Sequence, residues 1–221
     1  GRGQATPANF AAMTTQGYAR NPIVYRCVRM ICEAAASPPW VVYEAEEEAA
    51  GHPGLDLIER PNTQQTRQEF LEALMTNLLL SGNAFVEHVD PVPGRHRFFV
   101  VRSDKAELVT DEAGWASAIK VTEGTKKRML TLGDGANVGE ALHVQLIDPL
   151  SDAYGQSPLQ AALTALDVHN AAALWNKALL DNAARPSGAL IYAPADHSNL
   201  TPEQFETLKA ELAASFSGSQ T

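Results

Sequence analysis

The chain has 221 residues, 45% of them hydrophobic and 19% charged, and 26 acidic against 17 basic side chains give a formal net charge of -9. That is enough for one large domain or two small ones, with a core that needs no disulfide or metal staple. The charge excludes a phosphate-gripping surface spread over the whole molecule, though not a local basic face. No stretch reads as a secretory signal or as an apolar run long enough to span a bilayer.

The first twenty residues, "GRGQATPANFAAMTTQGYAR", are small and polar and read as a flexible arm. A helix follows over "NPIVYRCVRMICEAAAS", with Asn21 as cap and Pro22 in the first turn. Its expected apolar stripe is Val24, Cys27, Val28, Ile31 and Ala35, with Arg26, Arg29 and Glu33 on another face. Cys27 and Cys32 are the only cysteines. Their spacing forbids a bridge within the helix, and both are expected reduced and buried, as in an intracellular setting. The acidic run "EAEEEAAGHPG" reads as a solvated loop. A second helix is set by Thr66 and Glu69 as a capping box, a broad face of Phe70, Leu71, Leu74, Leu78 and Leu79, and Gly82 at its end.

Strand candidates are "WVVYE", "AFVEHV", "RFFVV", "AELVT", "SAIKVT", "RMLTL", "LHVQLI" and "ALIYA", many separated by turn signals such as "PVPGR", "DEAGW" and "GDGAN". Seven of them precede the third helix, which favours antiparallel hairpins over βαβ units. That helix runs from Ser157 to about Ala184, and a fourth opens at Thr201 with Pro202 and Gln204 completing its start signal. The pattern is α+β: an antiparallel hairpin block packed with several helices, and one long helix after the strands. Trp40, Trp115 and Trp175 are expected in the core.

"YGQSPLQAALTALDVHN" brings serine, aspartate and histidine close together in sequence. A hydrolase elbow would read GxSxG, but here Leu159 stands at the second glycine and Pro158 removes an amide that an oxyanion hole would use. His169 lies twelve residues on, about 18 Å along a helix axis, out of reach of Ser157. Ser157, Pro158 and Gln160 instead spell a capping box, with the serine oxygen expected to accept from the Gln160 amide. His52, His88, His96, His143 and His197 show no metal-ligand spacing. "GDGANVG" lacks the lysine and the following helix of a phosphate cradle. Lys126, Lys127, Arg128, Arg95 and Arg97 read as solvated hairpin residues. No catalytic, cofactor or metal constellation emerges from the spacing.

Four stretches in order resemble the phage portal family, in particular portals of the Hong Kong type. "NPIVYRCVRMICEAAASPPWVVYE" resembles the family's first helix and following strand, and "LIERPNTQQTRQEFLEALMTNLLLSGNAFVEHV" its "PN" turn, second helix and "GNAY" strand, with Phe85 at the tyrosine. "LHVQLIDPLSDAYGQSPLQAALTAL" resembles its strand end and "G-x-SP" turn, and "DNAARPSGALIYAP" its helix exit. The motif positions are Asn21, Pro22, Pro61, Asn62, Gly82, Asn83, Gly155, Ser157, Pro158, Gln160 and Gly188. The likeness is nearest to portals of gene transfer agents. It implies a non-enzymatic virion protein without cofactor: a homo-oligomeric ring, of twelve subunits in most members, at one capsid vertex, assembled in the bacterial cytoplasm. Double-stranded DNA passes through such a ring without specific binding. Terminase, head-tail adaptor and major capsid protein are the implied partners, with no membrane. Other readings are a non-channel virion adaptor and, less favoured, a hydrolase built on Ser157. Family members are longer, so residues 21–221 match the wing-like part, without stem, clip or crown, after the arm of residues 1–20. Arg26 and Arg29 are candidate subunit contacts.

Overall fold

The computed structural model describes residues 6–49, 51–133, 139–181 and 200–216. The chain divides into two units, residues 1–166 and 167–221.

The helical part of the first unit starts earlier than its sequence suggests. Helix α1 (Phe10–Ala12) is capped by the Asn9 side chain and continues as a π-helical stretch, Met13–Tyr18. Met13 and Gly17 are buried, and Tyr18 lies against Tyr25 with ring centroids 5.1 Å apart. The expected flexible arm is therefore corrected over Phe10–Tyr18. Phe10, Met13 and Tyr18 are the few large side chains in a polar stretch, and burying them is enough to fix it.

Helix α2 (Pro22–Ala36) begins where Asn21 Oδ1 accepts from the amides of Ile23 and Val24, at 3.0 and 3.2 Å. Its buried residues are Val28, Cys32 and Ala36, an i, i+4 row, with Val24 partly buried on the same side. The expected stripe is thus rotated: Cys27 and Ile31 are exposed. Strands β1 (Tyr43–Glu44) and β2 (Glu47–Glu48) form a short hairpin, and α3 (Pro53–Glu59) is capped by His52 Nδ1. β1 is the end of the expected "WVVYE" strand, while β2 and α3 replace the expected acidic loop.

Helix α4 (Arg67–Ser81) has the expected capping box at Thr66 and Glu69, and ends at Gly82 with φ +79°. One side packs Met75, Leu79 and Leu80 against α2. Another side, with Phe70, Leu71 and Leu74, faces an apolar cavity shared with the strands. A helix covered on two sides has no single apolar stripe.

The seven strands expected before the third helix all form. β3 (Asn83–Val89), β4 (Arg97–Val101) and β8 (Ala141–Gln145) make one antiparallel sheet in the order β4-β3-β8. β5 (Ala106–Thr110), β6 (Ala116–Glu123) and β7 (Lys126–Thr131) make a second, in chain order. One core joins them, built on Phe85, Val101, Leu108, Ile119, Val121 and Leu130. Outside it, Arg128 of β7 bonds Glu87 of β3.

A 3-10 turn (Pro158–Ala162) leads into α5 (Leu163–Asp181), whose Leu166 is buried beside Gly17. Residues beyond Asp181 of the expected long helix, the "ALIYA" strand and Gly188 lie outside the described residues. In the second unit α6 (Pro202–Phe216) carries the expected cap: Thr201 N donates to Gln204 Oε1 at 3.0 Å and Gln204 N to Thr201 Oγ1 at 3.3 Å. All three tryptophans are half-exposed or more, contrary to the expected core placement: Trp115 sits at a hairpin turn, Trp40 precedes β1 and Trp175 is on α5.

Candidate functional site

The densest polar arrangement lies where α4 ends, β3 begins, β8 ends and the "YGQSP" turn arrives. Gly82 takes a left-handed conformation that side chains rarely adopt, and its carbonyl accepts from Leu146 N at 2.8 Å. Gly155 packs directly on it. A Cβ at Gly155 would stand 2.2 Å from Gly82 O and 2.5 Å from Leu146 O. Only glycine lets these backbone segments approach so closely.

Asn83 locks the approach. Its Oδ1 accepts from Gly155 N at 2.8 Å, and its Nδ2 donates to Gly155 O at 3.0 Å and to Ser81 O at 3.0 Å. A side-chain amide thus does for Gly155 what a neighbouring strand would do, using a donor and an acceptor together; aspartate would lack the donor. His143 Nε2 also lies 3.0 Å from Asn83 Oδ1, so the imidazole donates there. The ring stacks on Phe85 at 4.8 Å, and burial lowers its pKa. On the other side, Asn77 Oδ1 accepts from Ser103 N and Oγ at 3.1 and 3.0 Å.

Ser157 completes the group. It is buried, donates from Oγ to Leu79 O at 2.7 Å and accepts from Leu159 N at 3.1 Å. The expected acceptance from the Gln160 amide is corrected. The first turn is 3-10, so Gln160 N goes to the Ser157 carbonyl at 3.0 Å, and Oγ reaches the nearer Leu159 amide. The serine proton is committed to a backbone carbonyl, which is no base, so the geometry makes Ser157 a tie between two helices.

Two further motifs anchor the surroundings. Pro61 is fully buried, and its carbonyl accepts from Phe98 N at 2.7 Å. Asn62 accepts from the amides of Gln64 and Gln65 and donates to Phe98 O, each at 2.9 Å, so the "PN" turn is fastened to β4. Arg29 bridges Glu33 and Glu72, both at 2.8 Å, tying α2 to α4. Donation from Gln68 and from Arg29 keeps the Glu72 carboxyl below its ordinary range, and the same pairing raises Arg29. Arg26 points outward, two-thirds exposed and 3.8 Å from Glu33.

Sequence reasoning found Gly82, Asn83, Gly155 and Ser157 as separate punctuation marks; the structure joins them in one node. It missed Asn77, Ser81, Ser103 and His143, whose partners lie up to 60 residues away. Asn77 and Ser81 stand among the leucines at the end of α4, His143 on β8 and Ser103 in the turn after β4, and no local rule singles them out. Among the described residues no group of three or more His, Cys, Asp or Glu is arranged to hold a metal ion, and no helix is long and apolar enough to cross a membrane. The cavity of about 530 Å³ between α3, α4 and β4-β3-β8 is lined by Leu57, Phe70, Leu74, Val86 and Leu142. Of its polar members, His88 lies 3.0 Å from His96, and Arg67 donates to Pro38 O at 2.6 Å with its Nε 3.3 Å from Glu59. It is a hydrophobic groove with little to orient a small polar ligand.

A family model for phage portal proteins matches residues 22–221. A Rickettsia bellii protein is 33% identical over 204 residues, covering 91% of this chain and 52% of that protein. One from Rickettsia felis is 33% identical over 206 residues, covering 92% and 52%. The chain thus spans about half the length of the curated relatives it matches. Among solved structures, a chain from the neck of an empty gene transfer agent particle, computed with C6 symmetry, is 41% identical with a TM-score of 0.77. It covers 100% of this chain, which spans 61% of it. A chain from the neck of the native particle, computed with C12 symmetry, is 40% identical, with a TM-score of 0.72 and coverage of 100% and 60%. An HK97 family phage portal protein from Corynebacterium diphtheriae, 16% identical with a TM-score of 0.58 and coverage of 96% and 62%, shares the fold.

Proposed function

The chain belongs to the phage portal protein family, and on that premise we propose that it is the wing-like part of a portal subunit in a particle of the gene transfer agent type. In this reading the full-length polypeptide forms a ring, of twelve subunits, at one vertex of the particle. The observation that carries it is the likeness to the neck chains, 40 to 41% identical and extending over all of this chain. DNA is packaged and released through the ring, while terminase and then a head-tail adaptor dock on it and the major capsid protein surrounds it. The part is structural: Gly82, Asn83, Gly155 and Ser157 hold strands and helices in register, and the Ser157 hydroxyl is spent on that task.

The net charge of -9 suits a protein past which DNA must slide, because each neutralised phosphate would add a salt-dependent hold. Tight, sequence-independent binding of duplex DNA in a low-salt gel shift would argue against that part of the reading. The main test is imaging and native mass measurement of the full-length protein. A closed ring with a central hole is expected, and a protein that stays monomeric under assembly conditions would overturn the proposal.

A further inference from the structure

Helix α2 has a second apolar row that the other described residues leave uncovered. Ile23, Cys27, Met30 and Ala34 fall at i, i+4, i+7 and i+11, opposite the buried row of Val28, Cys32 and Ala36. Ile23 and Met30 are 57% and 51% exposed, and Ile31 beside them 47%. Two exposed cations lie at the start of this helix, Arg20 in the turn before it, bonded to Gln16, and Arg26 in its second turn, 3.8 Å from Glu33. The first acidic residue along the helix is Glu33.

The hairpin that follows α2 has the complementary character. Trp40, Val41 and Tyr43 are 50%, 46% and 63% exposed. Glu44, Glu46, Glu47 and Glu48 are exposed and form no ion pair among the described residues. Glu44 and Glu47 stand directly opposite each other across the hairpin, and like charges so placed repel. Ala45 in the turn has φ +56°, a conformation that favours glycine. A two-stranded hairpin of this kind is marginal alone, and a cationic, apolar partner would relieve it.

We infer that the α2 outer face of one copy receives the Trp40–Glu48 hairpin of the next copy in the ring. This rests on the ring reading above. A ring requires a head-to-tail contact between two different, complementary patches. Here one patch runs along the outer face of α2 from Ile23 to Ala34 and the other lies beyond the last turn of the helix. Two such distinct patches let each copy give a hairpin to one neighbour and take one from the other. These 221 residues carry -9 in every copy, so local opposite charges at the contact also help to orient the copies.

The test uses the full-length protein and reads the fraction in rings by native mass measurement and imaging. Arg20→Glu with Arg26→Glu should lower that fraction at least ten-fold. Glu46→Lys, Glu47→Lys and Glu48→Lys together should do the same. Combining the two sets should restore rings. All five side chains are exposed, so melting of the subunit should not change and serves as the control for folding. A second arm keeps the native charges: Tyr43→Cys is oxidised in the presence of the natural Cys27, with Cys32 buried. A ladder of covalent multimers that disappears with Cys27→Ser is expected. Rings that survive both reversals, reversals that do not rescue each other, or a cross-link confined to single copies would overturn the docking while leaving the ring intact. Absence of rings in the unmodified protein would instead overturn the ring reading itself.

Discussion

The node around Asn83 and the hairpin at Tyr43–Glu48 obey opposite rules. At the node Asn83 engages Gly155, Ser81 and His143 at once, Ser157 bonds in both directions, and two glycine backbones touch. At the hairpin four glutamates lack a cation among the described residues, two of them face each other, and large apolar side chains stand in solvent. The node is finished within one chain; the hairpin is not. Changes at the node should therefore be felt in the stability of the isolated subunit, and changes at the hairpin in its association.

The strongest attack on this contrast is Gly155→Ala. The added methyl would meet Gly82 O at 2.2 Å and Leu146 O at 2.5 Å, both backbone atoms with no rotamer to escape into. Separating them breaks the Leu146–Gly82 and Asn83–Gly155 bonds together. A loss of about 4 kcal/mol is expected in denaturant unfolding, at the upper end for a single substitution because steric and hydrogen-bond terms combine. A midpoint close to the parent's would show that the node yields and that the contrast is overstated.

Ser157→Ala is milder, since it removes one acceptor and one donor without forcing atoms apart. Leu159 N loses its cap and Leu79 O a partner at the end of α4. The expected cost is about 1.5 kcal/mol, with ring assembly of the surviving folded protein unchanged. An effect on assembly larger than the effect on stability would place Ser157 at an interface, against the geometry.

What the sequence disclosed follows the same division. Local rules located the caps at Asn21, Thr66 and Thr201, the αL stop at Gly82 and seven of the eight strands before α5, because each depends on residues a few positions apart. The joining of Gly82 and Asn83 to Gly155 spans more than 70 residues, and no spacing rule reaches that far. The phase of α2 failed for a different reason. The helix is apolar on two sides, Val24-Val28-Cys32-Ala36 and Ile23-Cys27-Met30-Ala34, and periodicity cannot say which row its own core covers. The mixed stripe expected from sequence drew from both. That ambiguity is itself informative, since a second row of this length on a surface helix marks a face to be covered by something else. The second strand of the hairpin escaped notice because four glutamates in five positions read as solvated loop under any propensity rule.

The smallest expected effect tests the hairpin from inside. Ala45→Gly removes the side chain that disfavours φ +56° and should stabilise the turn by about 0.5 kcal/mol, the steric gain exceeding the extra entropy glycine loses. Global unfolding should not register it, because a marginal two-stranded hairpin opens long before the core does. The measurement is amide hydrogen exchange at residues 43–48 in the isolated subunit, where slower exchange is expected, by about two-fold for that energy. In assembled rings the same amides should be strongly protected with either residue at position 45, because a neighbour that holds the hairpin outweighs a turn preference of this size. Equal exchange in subunit and ring would leave the hairpin unpartnered, and its difference from the node would then be only that of a weak surface element.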